Sequence, residues 1–162
     1  MNRRRDSIPS ELTVRPRWVL WQRDWVDGRY TKVPYQRNGR RASSTDPATW
    51  CSWAQVQAAF DRGGYAGIGF VLNGDGLVGV DFDHCYDGSR ITIPKIAEYV
   101  AMLDTYCEIS ASGDGLRLFL FGTLPPRDRK EGDIEVYSDK RFLSVSGRHL
   151  AGTPLTINRR QA

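Results

Sequence analysis

Short runs rich in bulky apolar residues, separated by turn signals, make up much of this chain. Arg17 to Gln22 (RWVLWQ) and Tyr30 to Tyr35 read as paired strands, and Asp27-Gly28 between them is a strong hairpin-turn signal. Asn38-Gly39 marks a further turn. Asp46-Pro47 leads to a helix near Ser52 to Asp61 with Trp53, Val56 and Phe60 on one face, stopped by Gly63-Gly64. Ala66 to Leu72 and Gly76 to Asp83 read as strands joined at Asn73-Gly74. Pro94 suits a first helical turn, with Ile96, Tyr99, Val100 and Leu103 as the stripe behind it. Strands follow at Tyr106 to Ser110 and Leu116 to Phe121. A loop is expected from Pro125-Pro126 to Asp133, then strands at Ile134 to Tyr137 and Phe142 to Val145. The pattern predicts one α+β domain over residues 1–162, with an antiparallel or mixed sheet and two or three helices. No repeat or low-complexity segment interrupts it.

Composition changes this picture little. The charged fraction is 26% and the hydrophobic fraction 40%, both ordinary for a globular protein. No apolar run reaches membrane-spanning length and the N-terminus lacks a signal-peptide stretch, so a cytoplasmic protein with no membrane partner is expected. Cys51, Cys85 and Cys107 are odd in number and form no CxxC pair. A disulfide framework is therefore not expected, and His84, Cys85 and Cys107 lack the spacing of a zinc module. The ending INRRQA suggests a boundary within a longer protein. Net charge is +4, concentrated at Arg3 to Arg5, at Arg37, Arg40 and Arg41, at Arg127, Arg129 and Lys130, and at Arg159 and Arg160. Such clusters permit a polyanionic partner; solvated loop charge explains each one equally well taken alone.

The candidate chemistry lies in three places. Asp81 and Asp83 stand at i and i+2 of a strand, so their carboxylates share a face. Two such groups repel, and a hard divalent cation with oxygen ligands, Mg²⁺ or Mn²⁺, would relieve the repulsion. Glu135, between Ile134 and Val136, points away from both; if these two face the core, it points to the side the aspartates could share and completes a metal site. Ser110, Ser112, Gly113 and Gly115 form a loop rich in small residues, suited to phosphate oxygens, and Arg117 follows on the next strand. Each has an ordinary alternative: exposed strand-end aspartates, a solvent-facing glutamate, a glycine-rich turn with a surface arginine.

In order and spacing, these segments resemble the archaeo-eukaryotic primase superfamily, in the primase-polymerase branch of phages and plasmids. VGVDFDHC matches the family's strand ending in DxD. Ser110, Ser112, Gly113, Gly115 and Leu116 match its S-x-S-G-x-G-L-H loop, and IEVYS followed by RFLSVSG matches its third motif. RWVLWQ, KVPY, DPATW and LDTYCEIS look familial too, so the resemblance runs from about Arg17 to His149. It implies an RRM-like catalytic sheet with an adjoining N-terminal α/β unit. It also implies two-metal nucleotidyl transfer on a single-stranded DNA template and primer from NTPs or dNTPs, beside a helicase or accessory domain of the parent protein. Asp81, Asp83 and Glu135 would be catalytic metal ligands; Ser110, Ser112, Gly113, Gly115 and Arg117 would bind the nucleotide. The family's histidine is replaced by Arg117, a cation that cannot shed a proton. Two alternatives are a catalytically weakened nucleic-acid-binding domain and a metal-dependent nuclease.

Overall fold

The computed structural model describes residues 5–124 and 129–160. The expected features at Arg3, Arg4, Pro125-Pro126 and Arg127 lie outside these residues. Two antiparallel sheets form an α+β domain. The first has strand order β2-β1-β3-β9, from β1 (Trp18–Val26), β2 (Arg29–Tyr35), β3 (Gly67–Asn73) and β9 (Asp139–Val145). The second has order β5-β6-β4-β8-β7, from β4 (Leu77–Phe82), β5 (Cys107–Ile109), β6 (Leu116–Phe121), β7 (Arg129–Glu131) and β8 (Ile134–Tyr137). The helices are a short α1 (Ser10–Thr13), α2 (Trp53–Asp61) and α3 (Pro94–Leu103). Among the described residues, no helix is long and apolar enough to cross a membrane.

Local chemistry sets these elements. Asp27 and Gly28 both have positive φ, 50° and 79°, the mirror-image turn whose twist suits a two-residue hairpin. Ser52 and Gln55 close a reciprocal capping box on α2, and Pro94 opens α3 with its fixed φ. Trp18, Leu20, Phe70 and Leu72 of the first sheet belong to one core with Leu12 of α1 and with Val56 and Ala59 of α2. Val78, Val80 and Phe82, with Leu116, Leu118 and Leu120, form the second core with Ile96 and Val100 of α3. Alternation turns the opposite face of the second sheet toward the first. The two backbones approach closely at Gly79, where a Cβ would lie 2.1 Å from Leu143 Cδ1.

Two features differ from the reading of the sequence. Phe142 to Val145 belongs to a longer strand that leaves its sequence neighbour β8 and pairs with β3, so the first unit is completed from the C-terminal half rather than being N-terminal alone. The charged stretch before Asp133 contains β7 rather than only a loop. Its register against β8 places Lys130 opposite Glu135, an ion pair that apolar alternation cannot reveal.

Candidate active site

The register of the second sheet lines up five charged residues across five strands. Glu108 faces Arg117, Arg117 faces Asp81, Asp81 faces Glu135 and Glu135 faces Lys130. Directly paired residues share a sheet face, so all five point the same way. Ile134 and Val136 pack in the core under α3, which turns Glu135 to the aspartate side. Asp83 lies one residue past the end of β4, its amide held by Asp133 O at 2.8 Å. Its carboxyl is pushed up by burial, then by the negative charges of Asp81 and Glu135. The three acids are therefore neighbours at one end of one sheet.

Protein cations hold two of them. Arg117 grips Asp81 with both edges of its fork, Nε to Oδ1 at 2.5 Å and Nη2 to Oδ2 at 2.9 Å, while its Nη1 donates to Ser144 O and, at 2.8 Å, to Ser144 Oγ. Lys130 pairs with Glu135 at 2.6 Å. With the side chains so arranged, no three His, Cys, Asp or Glu groups among the described residues are gathered to hold a metal ion. In kind the donors suit a hard divalent ion, being carboxylate oxygens alone. Asp81 opposite Glu135 is a like-charge pair that only a cation makes favourable.

The Ser110–Gly115 loop is fastened to the other end of this group. Ser110 Oγ lies 2.9 Å from Ser112 Oγ and accepts the Gly115 amide at 3.2 Å; Ser112 donates to Asp114 at 2.6 Å. Asp114 O accepts from the amides of Cys85 and Tyr86, both at 2.9 Å, and its carboxylate meets His84 Nδ1 at 2.9 Å. Gly115 is required by proximity: a Cβ there would lie 2.6 Å from Phe82 O. Gly113 turns the loop with φ +89°. Ser110, Ser112, Gly113 and Gly115 thus sit beside the Asp83 turn. Arg117 points not to this loop but to Asp81 and Ser144.

A cleft of about 410 Å³ separates the two sheets here. Asp81, Arg117 and Tyr137 line one wall; Lys32, Arg141 and Ser144 are on the other. Lys32 Nζ lies 3.3 Å from Ser144 Oγ and 5.1 Å above the Trp21 ring, its pKa pulled down to about 8 by burial and then by Arg117. Reading the sequence missed Lys32, whose only signal was a basic residue inside the apolar segment KVPY. It also missed Glu108, fully buried, which accepts hydrogen bonds from Tyr106 Oη and the amides of Ser146 and Gly147. Burial pushes its carboxyl up. Its signal was an acid between Cys107 and Ile109. Cys51, Cys85 and Cys107 are free thiols, and His84, on the surface, is turned to Asp114.

A sequence similarity covering most of the chain supports a phage-type primase-polymerase core, with which this α+β fold is compatible. The similarity is to the DNA primase-polymerase of Nitratiruptor phage NrS-1, 37% identical over 139 residues. The match takes in 80% of this chain and 19% of the phage protein, so the chain spans about a fifth of that relative's length. No family model matches the chain.

Proposed function

We propose that this chain is the catalytic core of a DNA primase-polymerase, extending or initiating a strand on single-stranded template DNA with NTPs or dNTPs. The observation that carries this reading is Asp81 on the wall of a cleft whose other side is basic, opposed across the β4–β8 ladder by Glu135 and with Asp83 close enough for both charges to raise its carboxyl. Asp81, Asp83 and Glu135 would hold Mg²⁺ or Mn²⁺, once Arg117 and Lys130 release their carboxylates. Bound there, two such ions supply an activated 3′-hydroxyl and neutralisation of the leaving pyrophosphate. Lys32 and Arg117 would place positive charge against the triphosphate. Ser110, Ser112, Gly113 and Gly115 would cradle phosphate oxygens next to Asp83. The cleft volume falls in the usual range for a small-molecule site. In this reading the second sheet, with α3 on its back, is the RRM-like catalytic sheet. A helicase or accessory domain belongs to the remainder of a longer parent protein.

A weakened domain is the second reading, favoured by one contact: the two-pronged Arg117–Asp81 pair withholds a metal ligand. One assay decides between them. Primer extension and de novo priming are measured with each metal and all four nucleotides, for the parent chain, Asp83→Asn, Glu135→Gln and Arg117→His. The primase-polymerase reading expects metal-dependent incorporation, lost in Asp83→Asn and Glu135→Gln. No incorporation by the parent but activity in Arg117→His supports the weakened domain. Degradation of DNA in the absence of nucleotides points to a nuclease.

A further inference from the structure

One face of the β1–β2 hairpin carries an ordered series of aromatic and basic side chains, of which the chemistry above uses only Lys32, at its inner end. Trp25 pairs with Tyr30, Arg23 with Lys32 and Trp21 with Pro34, so alternation sets all six on a single face. At its inner end this face is the cleft wall: Lys32 and Pro34 line the space that Asp81 and Arg117 line from the other sheet. At its outer end Trp25 and Tyr30 meet edge to face, ring centroids 5.0 Å apart, yet remain 64% and 67% exposed. From Trp25 to Trp21 the strand climbs about 13 Å at the usual rise per residue.

A cross-strand aromatic pair stabilises a hairpin, and that alone would explain contact between two rings. It does not explain why most of both rings stays in water, or why cations follow them on the same face toward the carboxylates. Alternating flat apolar surfaces and fixed positive charges are what a single nucleic-acid strand needs. Its unpaired bases stack on aromatic rings and its phosphates pair with cations.

We propose that this face of the hairpin binds single-stranded DNA, with bases stacked on Trp25 and Tyr30 and a phosphate paired with Arg23, and delivers the template to the cleft where Lys32 stands. The delivery rests on the primase-polymerase reading; the binding does not. Duplex DNA offers the rings no free base faces and is the weaker ligand for such a surface.

The test uses the 162-residue chain and a fluorescent single-stranded oligo(dT) of about 16 nucleotides. Anisotropy titrations compare the parent with Trp25→Ala/Tyr30→Ala and with Arg23→Ala. The double variant is expected to bind roughly ten- to a hundredfold more weakly. Arg23→Ala should flatten the slope of log affinity against log salt by about 0.7. In parallel, 5-bromodeoxyuridine oligonucleotides are photocrosslinked to the unaltered chain and the attached peptides mapped. Crosslinks at Trp25 or Tyr30 support the proposal and decide it even if the double variant does not fold. Parent-like affinity in a folded double variant, crosslinks confined to other elements, or equal affinity for duplex DNA overturns it. The two proposals fail separately. Binding that depends on Trp25 and Tyr30 in a chain that incorporates no nucleotide leaves this one standing and removes the primase-polymerase reading. Metal-dependent incorporation indifferent to both rings does the reverse.

Discussion

Two rows of residues cross the second sheet on the same face, two positions apart, and they have opposite characters. In one, Phe119 and Tyr137 flank Gly79 on the paired strands; in the other, Arg117 and Glu135 flank Asp81. The first row is packing. Phe119 is completely buried, and Gly79 has no side chain because Leu143 of the other sheet occupies that space. The second row is charge: there a cleft stands between the sheets and nearly every side chain has an ionic partner. Moving two residues along a strand keeps the face and changes the job. The sheets are tied together at one row, and the next carries the opposed carboxylates Asp81 and Glu135, with Asp81 on the cleft wall.

Breaking the packing row should have the largest effect on stability. Phe119→Ala removes a fully buried ring and should cost about 3–5 kcal/mol, read by urea denaturation. A loss below about 1 kcal/mol would mean that the row does not hold the sheets together. Asp81→Ala comes next and is the sharper test of the contrast. From the sequence, losing one of two neighbouring aspartates should relieve repulsion and leave stability equal or slightly higher. The structure reverses that expectation, because the change strands the buried Arg117 guanidinium with Ser144 as its remaining partner. A loss of about 1–3 kcal/mol is expected. Asp81→Ala/Arg117→Leu should recover most of it, and a simple sum of the two single effects would show that the residues are not coupled.

Asp83→Asn should separate activity from stability. Among the described residues no ion pair holds Asp83, and burial, then the charges of Asp81 and Glu135, raise its carboxyl against the weaker opposing pull of His84 and Arg117. A carboxyl raised on folding costs stability where it is ionised, at neutral pH. That cost disappears as pH falls below the ordinary aspartate value, where the folded and unfolded forms are both protonated. Asp83→Asn should therefore match or slightly exceed the parent in Tm at pH 7, with the difference closing in acid, while incorporation is lost. A clear drop in Tm at pH 7 would assign Asp83 a structural role.

What the sequence made legible, and what it did not, divides along the same contrast. Alternation alone put Asp81 and Asp83 on one face and turned Glu135 away from Ile134 and Val136, since each inference needs only its own strand. The partner of Arg117 was not legible. That side chain follows the glycine loop in sequence, but which acid it meets depends on the β4–β6 register, a contact between residues 36 apart. The place of strand β9 was not legible for the same reason: Phe142 to Val145 reads as a strand, but nothing in it says which sheet will accept it. Glu108 looked like any acid in a short strand, and only the fold surrounds it with Tyr106 and two amides.

The smallest predicted effect lies at the rim of the charged region, where His84 meets Asp114. Both side chains are largely exposed, so the pair should add little to global stability. It does tie the Ser110–Gly115 loop to the turn that carries Asp83, and His84 takes a left-handed φ of 52° there. The hydrogen bond that Asp114 accepts from the ring, and then its charge, raise the His84 pKa above 6.5. For a group raised on folding, the stabilisation is complete below the unfolded value and fades as pH climbs through the folded one. In metal-free protein, the His84 ring resonance followed by NMR should titrate with a midpoint above 6.5, and Asp114→Asn should bring that midpoint down. The Tm of the parent should exceed that of Asp114→Asn at pH 6 and the two should converge at higher pH, as the imidazole loses its charge. A midpoint indifferent to Asp114→Asn would mean that the loop and the Asp83 turn are joined by the Asp114 carbonyl and the amides of Cys85 and Tyr86 alone. The attachment of the loop would then be independent of pH.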